Sequence, residues 1–537
     1  MPEATRIRAT DNAFGPLLGH GLDQQAKYER GTPSASRKEK GQFFTPPEVC
    51  QFMAGLLSLD RPNTFRLLDP GAGAGSLSAA VCDRFLKLRR SRRVEIHLFE
   101  NDAEVLPSLE KTMRNCAENL QRHGHSLSYV VHNEDFILDA ASTVFGPPSL
   151  FGDPPDRTGF DAVIMNPPYF KVRKGSRYAR IMDDIVHGQP NIYAFFLAAA
   201  AQMLVSGGQM VAITPRSFCN GLYFRGFRHW FLQRMSLDHI HLFESRTEAF
   251  RDVLQESLIT ASHRLGAPST RVRITTSYGR DLRQCKEQAL PISAVVDDSC
   301  GHATVRIPAT QEDLTIAGIV ESWPHRFSET GLRVSTGPVV RFRATAFLLP
   351  RLNGADSVPL LSVFNVKAYK TEWPILGKKH PTAFKVCADS LRLLLPIQNY
   401  VLLRRFSAKE ERRRLTASCL LATDVKQPYV ALENHLNYVY HAERQLSTDE
   451  TYGLAALFNS SLLDRYFRTI SGNTQVNATE LRTMKFPCLA VVAAIGQEVR
   501  ALATLDRDRA ELIVLEQLGV NGEIRRHLLE GTLSSQI

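Results

Sequence analysis

The feature that most restricts this chain is a series of short apolar runs, each closed by a carboxylate or carboxamide side chain and separated from the next by a stretch of helical periodicity. The runs 66–69, 94–100, 127–135 and 160–166 end on Asp69, Glu100, Asp135 and Asn166, at intervals of 31, 35 and 31 residues. Such an interval is about one strand–helix–strand unit. Three more runs, 209–215, 237–244 and 257–262, continue the alternation. Seven strands interleaved with helices specify a doubly wound α/β sheet. In an open sheet of this kind ligands bind beyond the carboxyl ends of the strands, so the four polar side chains are expected to converge on one site.

The rest of the chain is organised around that sheet. Residues 1–40 are polar and lack periodicity, which predicts a mobile arm. Order is expected from Thr45-Pro46-Pro47-Glu48, a capping-box start, with Val49, Phe52, Met53, Leu56 and Leu57 on one helix face. The stretch 145–159 holds Pro147, Pro148, Pro154 and Pro155 and reads as a surface loop. Beyond about residue 268 the alternation gives way to short strands and turns, and 491–530 is again helix-like. The predicted division is therefore an arm (1–40), a doubly wound domain (41–268) and a second, α+β domain with a helical C-terminus (269–537).

Bulk properties narrow the partners. A chain of 537 residues, 44% of them apolar, can bury more than one core. Its nine cysteines form no CxxC pair, which argues against a zinc site or a disulfide framework. No metal is expected. No apolar run of about 18 residues or leader-like start is present, so a cytoplasmic protein without a membrane contact is expected. The net charge of +10 is concentrated: residues 331–430 carry 17 Lys plus Arg against 6 Asp plus Glu, a local balance of 17 − 6 = +11. A polyanionic partner explains that concentration.

The site residues suggest a ligand. Asp69-Pro-Gly71-Ala-Gly73-Ala-Gly75 places glycines where a strand turns into a helix, so backbone can lie close against a bound molecule. Glu100, ending the second strand, suits a grip on ribose hydroxyls. Asp135 with Phe136 offers an acceptor and an aromatic face for an adenine, and Asp69 can accept from an ammonium. No Walker lysine is present for phosphates. The most specific element is Asn166-Pro167-Pro168-Tyr169. Two prolines donate nothing and leave carbonyls to accept, Asn166 adds an amide oxygen, and Tyr169 can stack on a planar group. Together they suit a planar amine, whose delocalised lone pair must be drawn out before it can act as a nucleophile.

These motifs resemble those of the gamma group of amino-methylating DNA methyltransferases, in the branch of Eco57I-, PstI- and XhoI-like adenine enzymes. Gly41-Gln-Phe-Phe44-Thr45-Pro-Pro is similar to the segment that closes over the methionine end of the cofactor. The turn from Asp69 to Gly75 is similar to the cofactor loop, departing at Gly71 where alanine is frequent. Phe99-Glu100-Asn101-Asp, Asn133-Glu-Asp135-Phe136 and Asn166-Pro-Pro-Tyr169 fill the next three positions.

The resemblance implies a Rossmann-like methyltransferase sheet followed by a target-recognition domain, with S-adenosyl-L-methionine as cofactor and transfer to the N6 amino group of an adenine flipped out of duplex DNA. By it, Phe250 is a looser match to a second aromatic beside the base. It also implies the protective methylase of a restriction-modification system, and allows a separately encoded cognate endonuclease without requiring one. The C-terminal half resembles the same branch in Val334-Ser-Thr-Gly-Pro-Val-Val, in 400–414 and in Asn473-Thr-Gln-Val-Asn477. Candidate DNA contacts are Lys171, Arg173, Arg404, Arg405, Lys409, Arg412, Arg413 and Arg414. Protein-glutamine or RNA amino methyltransferases share the Asn-Pro-Pro-Tyr element and form the alternative; the basic second domain and the Thr45 segment count against them.

Overall fold

The computed structural model describes residues 14–33, 42–60, 64–144, 159–173, 175–183, 185, 191–244, 256–266, 269–297, 303–375, 380–407, 411–472, 475–502, 504 and 506–533. It divides into two compact units, Met1–Ala309 and Thr310–Ile537. The boundary expected near 268 falls inside the first unit, because two further strands there extend the sheet.

The first unit runs α1 (Pro16–Gly31), α2 (Pro47–Gly55), β1 (Phe65–Pro70), α3 (Ser76–Phe85), β2 (Arg93–Phe99), α4 (Leu106–Arg122), β3 (Ser126–His132), α5 (Phe136–Val144), β4 (Phe160–Met165), α6 (Arg177–Ile181), α7 (Tyr193–Met203), β5 (Leu204–Pro215), α8 (Arg225–Leu232), β6 (Met235–Phe243), β7 (Ser257–Arg264), β8 (Arg271–Ser277) and β9 (Lys286–Pro291). The strands form one sheet of order β3-β2-β1-β4-β5-β7-β6-β8-β9, so the seven expected strands are joined by two more. β1 to β5 run parallel, and β7 is antiparallel to both of its neighbours. The order turns about β1 and β4, which sets the switch point beside Asp69 and Asn166. Leu67, Leu68, Ile96, Leu98, Val163 and Ile164 are buried, as central parallel strands covered on both faces require. Edge strand β3 instead alternates between exposed and half-buried positions.

Two expectations near the N-terminus are corrected. Within the predicted arm, 16–31 is a helix docked on α3 and α4. Leu17, Leu18, Gly21, Gln24 and Tyr28 are buried at helical spacing, and Pro16 opens the first turn. The Asp83 carboxylate accepts from the backbone N–H groups of Leu17 (3.0 Å) and Leu18 (2.9 Å). It thus caps from a distance the helix donors that no local side chain reaches. The second correction concerns α2, which starts at Pro47 with Pro46 as its cap and no side-chain capping bond. The Thr45 hydroxyl is used elsewhere. The predicted loop 145–159 lies, but for Gly159, outside the described residues.

The second unit is α+β. One five-stranded sheet has the order Leu332–Thr336, Leu436–His441, Tyr400–Arg404, Ala417–Leu420 and Tyr369–Lys370. A second has Leu348–Leu349, Ala383–Lys385, Ser357–Leu361, Tyr429–Leu432 and Leu395–Pro396. Helices Gln311–Glu321, Thr448–Asn459, Ser461–Ile470, Leu489–Ala501, Arg507–Gln517 and Gly522–Leu533 supply much of its main core. No helix among the described residues is long and apolar enough to cross a membrane.

Candidate active site

At the carboxyl ends of β1 to β4 lies a cavity of about 410 Å³, within the usual range for a small-molecule site. Gly71, Gly73 and Gly75, between β1 and α3, have φ of 85°, 55° and 85°, a region that disfavours side chains. A Cβ on Gly73 would stand 3.1 Å from the Phe44 ring, and one on Gly75 2.9 Å from Leu109. The turn is tied to β2 by the Gly71 and Ala72 N–H groups, which donate to the Phe99 carbonyl at 2.8 and 2.9 Å.

Glu100 follows β2 into the cavity wall. Its two oxygens accept from the N–H groups of Gly73 (2.9 Å) and Asp102 (2.8 Å), while burial pushes its carboxyl pKa up. Each oxygen keeps a further lone pair for a ligand hydroxyl. Asp135 also lines the cavity but already has partners. One oxygen caps Leu138 N–H (3.1 Å) and the other accepts from the Tyr178 hydroxyl (2.5 Å), whose own pKa is pushed up to about 12 by burial and by that carboxylate. Phe136 packs edge-on to Phe99 and tilted on Phe196, each at 5.2 Å, forming an apolar end with Ile192.

Asp69 departs from its expected role. It is fully buried, accepts from Ser78 Oγ at 2.6 Å, and is absent from the cavity wall. Burial raises its pKa to about 7. It ties the end of β1 to α3 through Ser78. Gly75 likewise shapes the turn without reaching the wall, whereas Gly71, Gly73, Phe44 and Asn101 line it.

Asn166 stands at the end of β4. Its Nδ2 donates to the Phe43 carbonyl (2.8 Å) and to Thr45 Oγ1 (3.0 Å), and its Oδ1 accepts from the Tyr169 hydroxyl (2.6 Å). Two acceptors at the nitrogen end fix which way the amide faces. The Tyr169 hydroxyl also lies 2.9 Å from the Ile213 carbonyl, and burial raises its pKa. Its single proton fits the shorter contact, leaving one lone pair of Oδ1 for a substrate. The Tyr169 ring lies nearly parallel to Phe43, with centroids 6.0 Å apart. Pro168 lines the cavity, Pro167 is buried, and Thr45 acts on Asn166 without lining the wall. Phe250 and Lys409 lie outside the described residues.

Several wall residues were not singled out from sequence. Gln42, Phe43 and Asp102 sit inside quoted motifs, but Tyr178, Ile192 and Phe196 carry no such signal. Behind the wall, the Tyr28 hydroxyl of α1 donates to Asp102 Oδ2 (2.7 Å), which also accepts from Gln42 Nε2 (2.8 Å). The Tyr28 ring packs with Ala74 and Val105 and meets Phe44 edge-on at 5.8 Å.

The basic candidates divide. Lys171 and Arg173 are exposed. Arg404 donates twice to the Val366 carbonyl, and Arg405 to the Asn434 carbonyl and Gln475. Arg412 is exposed. Arg413 lies 3.7 Å from the buried Glu511 carboxylate, and Arg414, 2% exposed, lies over the Phe467 ring and donates to the Ser471 carbonyl. Arg413 and Arg414 are thus structural, which corrects their assignment to DNA. Among the described residues no group of His, Cys, Asp and Glu could hold a metal ion.

A doubly wound sheet with a glycine turn, an acid after β2 and an Asn-Pro-Pro-Tyr element beside one cavity defines a methyltransferase. The model of the Eco57I restriction-modification methylase family matches residues 81–250. The type II methyltransferase M.BsuBI of Bacillus subtilis is 35% identical over 469 residues, 86% of this chain and 91% of the relative. M.PstI of Providencia stuartii, also a type II methyltransferase, is 31% identical over 468 residues, covering 86% and 90%. The chain belongs to this family of type II restriction-modification methyltransferases. A cryo-EM structure of a DrdV–DNA complex shares 13% identity at a TM-score of 0.49, over 92% of this chain and 60% of that one.

Proposed function

We propose that the protein transfers a methyl group from S-adenosyl-L-methionine to the N6 amino group of an adenine in a specific duplex DNA sequence. The observation that carries this reading is the Asn166 amide, held at its nitrogen by Phe43 and Thr45 so that its oxygen accepts from Tyr169 and keeps one lone pair for an incoming amine. The cavity fits the cofactor: Glu100 offers acceptors for ribose hydroxyls, Phe136, Phe196 and Ile192 an apolar slot for a purine, and the glycine turn a close backbone. Bound there, the cofactor supplies an electrophilic methyl on a sulfonium.

Asn166 Oδ1 and the Pro167 carbonyl accept from the two amine protons and draw the lone pair out of the ring. So held, the amine would present its lone pair to the methyl that the cofactor supplies, and its surplus proton would leave to solvent. Catalysis is positioning and hydrogen-bond polarisation. A paired adenine must be flipped to reach the site, at a cost of a few kcal/mol, offset by stacking and hydrogen bonding. In this reading Tyr169 stacks on the flipped base, and the exposed Lys171 and Arg173, next in sequence, meet phosphates.

Family membership favours DNA over the protein-glutamine and RNA alternatives, and fits a cytoplasmic protective methylase with a cognate endonuclease. Modification-sensitive sequencing of host DNA tests the reading. Expression of the wild-type chain should mark one recurring sequence at adenine, and Asn166→Ala should abolish the mark while leaving cofactor affinity near wild type. Unmarked DNA, or full activity in the variant, would reject it.

A further inference from the structure

Described residues of the segments of the second unit that stood out in the sequence gather about one turn, Glu433-Asn434-His435: Gly337 and Val339 on one side, Arg405 and Phe406 on the other, with Gln475 held through Arg405. Val339 forms a parallel bridge with Glu433, and Asn434 N–H donates to the Val339 carbonyl at 2.9 Å. Gly337 permits this approach, since a Cβ there would stand 2.3 Å from the Glu433 carbonyl oxygen. From the other side, Arg405 N–H donates to the His435 carbonyl (3.0 Å) and its guanidinium to the Asn434 carbonyl (2.9 Å) and Gln475 Oε1 (3.2 Å). Phe406 bridges to Gln475 and meets the His435 ring edge-on at 4.9 Å.

What this scaffold presents to solvent is unusual. Phe342 is 75% exposed, with the Arg343 guanidinium 5.3 Å from its ring centroid. Phe406 is 39% exposed, with the Arg405 guanidinium 5.6 Å from its ring. Arg341, next to Phe342 in sequence, pairs with the buried Glu433 carboxylate of the turn at 3.0 Å. Three arginines against one carboxylate leave the patch at +2. Single exposed apolar residues need no explanation, but two arginine–phenylalanine pairs beside one turn make a cationic surface on which the Phe342 ring stands largely in solvent. Nucleobases stack on such platforms while arginines hold the adjacent phosphates.

We propose that this surface, with its exposed Phe342, is where the second unit grips duplex DNA, Phe342 stacking on a base step and Arg343 contacting a neighbouring phosphate. The inference rests on the reading of the protein as a DNA methyltransferase and moves the DNA contact away from Arg413 and Arg414. The test uses the full chain and a fluorescein-labelled duplex carrying the sequence marked in host DNA, with binding read by anisotropy across a salt series. Phe342→Ala should weaken binding by roughly 5-fold or more, the lower end of what base–aromatic stacking contributes on single strands, since opening a duplex step offsets part of that gain. Arg343→Gln should flatten the salt slope by about one unit. Arg526→Gln, a surface change on the last helix, should do neither, and calorimetric cofactor affinity should stay unchanged in all three. If Phe342→Ala and Arg343→Gln bind like wild type while the wild-type protein methylates the duplex, this surface is not the DNA face. If the wild-type protein neither binds nor methylates the duplex, the functional reading itself falls, and this inference with it.

Discussion

Tyr28→Phe removes one hydroxyl from behind the wall of the candidate active-site cavity. In the wild-type protein that hydroxyl donates to Asp102 Oδ2 at 2.7 Å and stands 3.1 Å from Gln42 Oε1. Burial and the Asp102 carboxylate push the phenol pKa up to about 12, so it is a donor at neutral pH. A hydrogen bond to a charged acceptor contributes about 1.5–3 kcal/mol. Gln42 Nε2 remains on the same oxygen at 2.8 Å, and the ring keeps its contact with Phe44. The net loss should therefore fall at or just below the bottom of that range, about 1–1.5 kcal/mol. Gln42, Phe44 and Asp102 line the cavity whereas Tyr28 does not, so most of the loss should appear in how well the wall is held. The expected result is a rise in Kd for S-adenosylmethionine of about 5- to 10-fold, equivalent to about 1–1.4 kcal/mol. Turnover at saturating cofactor should stay within about twofold of wild type, since no transition-state contact is lost. Calorimetric titration and steady-state kinetics read the two quantities separately. An unchanged Kd with a lowered Tm would reduce Tyr28 to packing, and a fall in turnover at saturation would contradict the assignment to the cavity wall.

Two further outcomes follow from buried polar groups. Asp83→Ala leaves the Leu17 and Leu18 N–H groups without their acceptor; a lost cap costs about 0.5–2 kcal/mol, and limited proteolysis should then cut first within 16–31, whereas a pattern matching wild type would mean that apolar packing alone docks α1. His239 and His241 share Thr275 Oγ1 and are held neutral, with burial lowering their pKa to about 4 and about 3. The unfolded chain binds these protons near pH 6.5 and the native protein does not, so their contribution to stability is complete above about pH 6.5 and is lost as pH falls toward 4 and then 3. Thermal unfolding should show a falling Tm across that window that His241→Gln makes shallower, and an identical slope in the variant would contradict it.

The sheet and its ligand-binding edge were legible because the signals were local. Buried parallel strands are continuous apolar runs, and Glu100, Asp135 and Asn166 stand at or just beyond their ends. What escaped was set by partners distant in sequence. Helix α1 reads as polar because its anchors are few, and its start is capped by Asp83. Thr45 and Glu48 have the spacing of a capping box, yet the hydroxyl serves Asn166 across the chain. Counting charge located the basic segment, but charge counts carry no information about burial. Arg414 packs on Phe467, and Arg413 faces Glu511, so neither is available to phosphate. The first unit also extends past 268, since β8 pairs with β6, an element already counted, through a parallel register that the sequence does not announce.

The central claim, methyl transfer to the adenine amino group of duplex DNA, is tested most directly by a single product analysis. Purified protein is incubated with methyl-tritiated S-adenosylmethionine and unmethylated genomic duplex DNA, which is then digested to nucleosides and separated by chromatography. The structure predicts that label co-elutes with N6-methyl-2′-deoxyadenosine and is absent when Asn166→Ala replaces the wild-type protein. Label in a methylated cytosine, or label found only in protein or RNA, would contradict it.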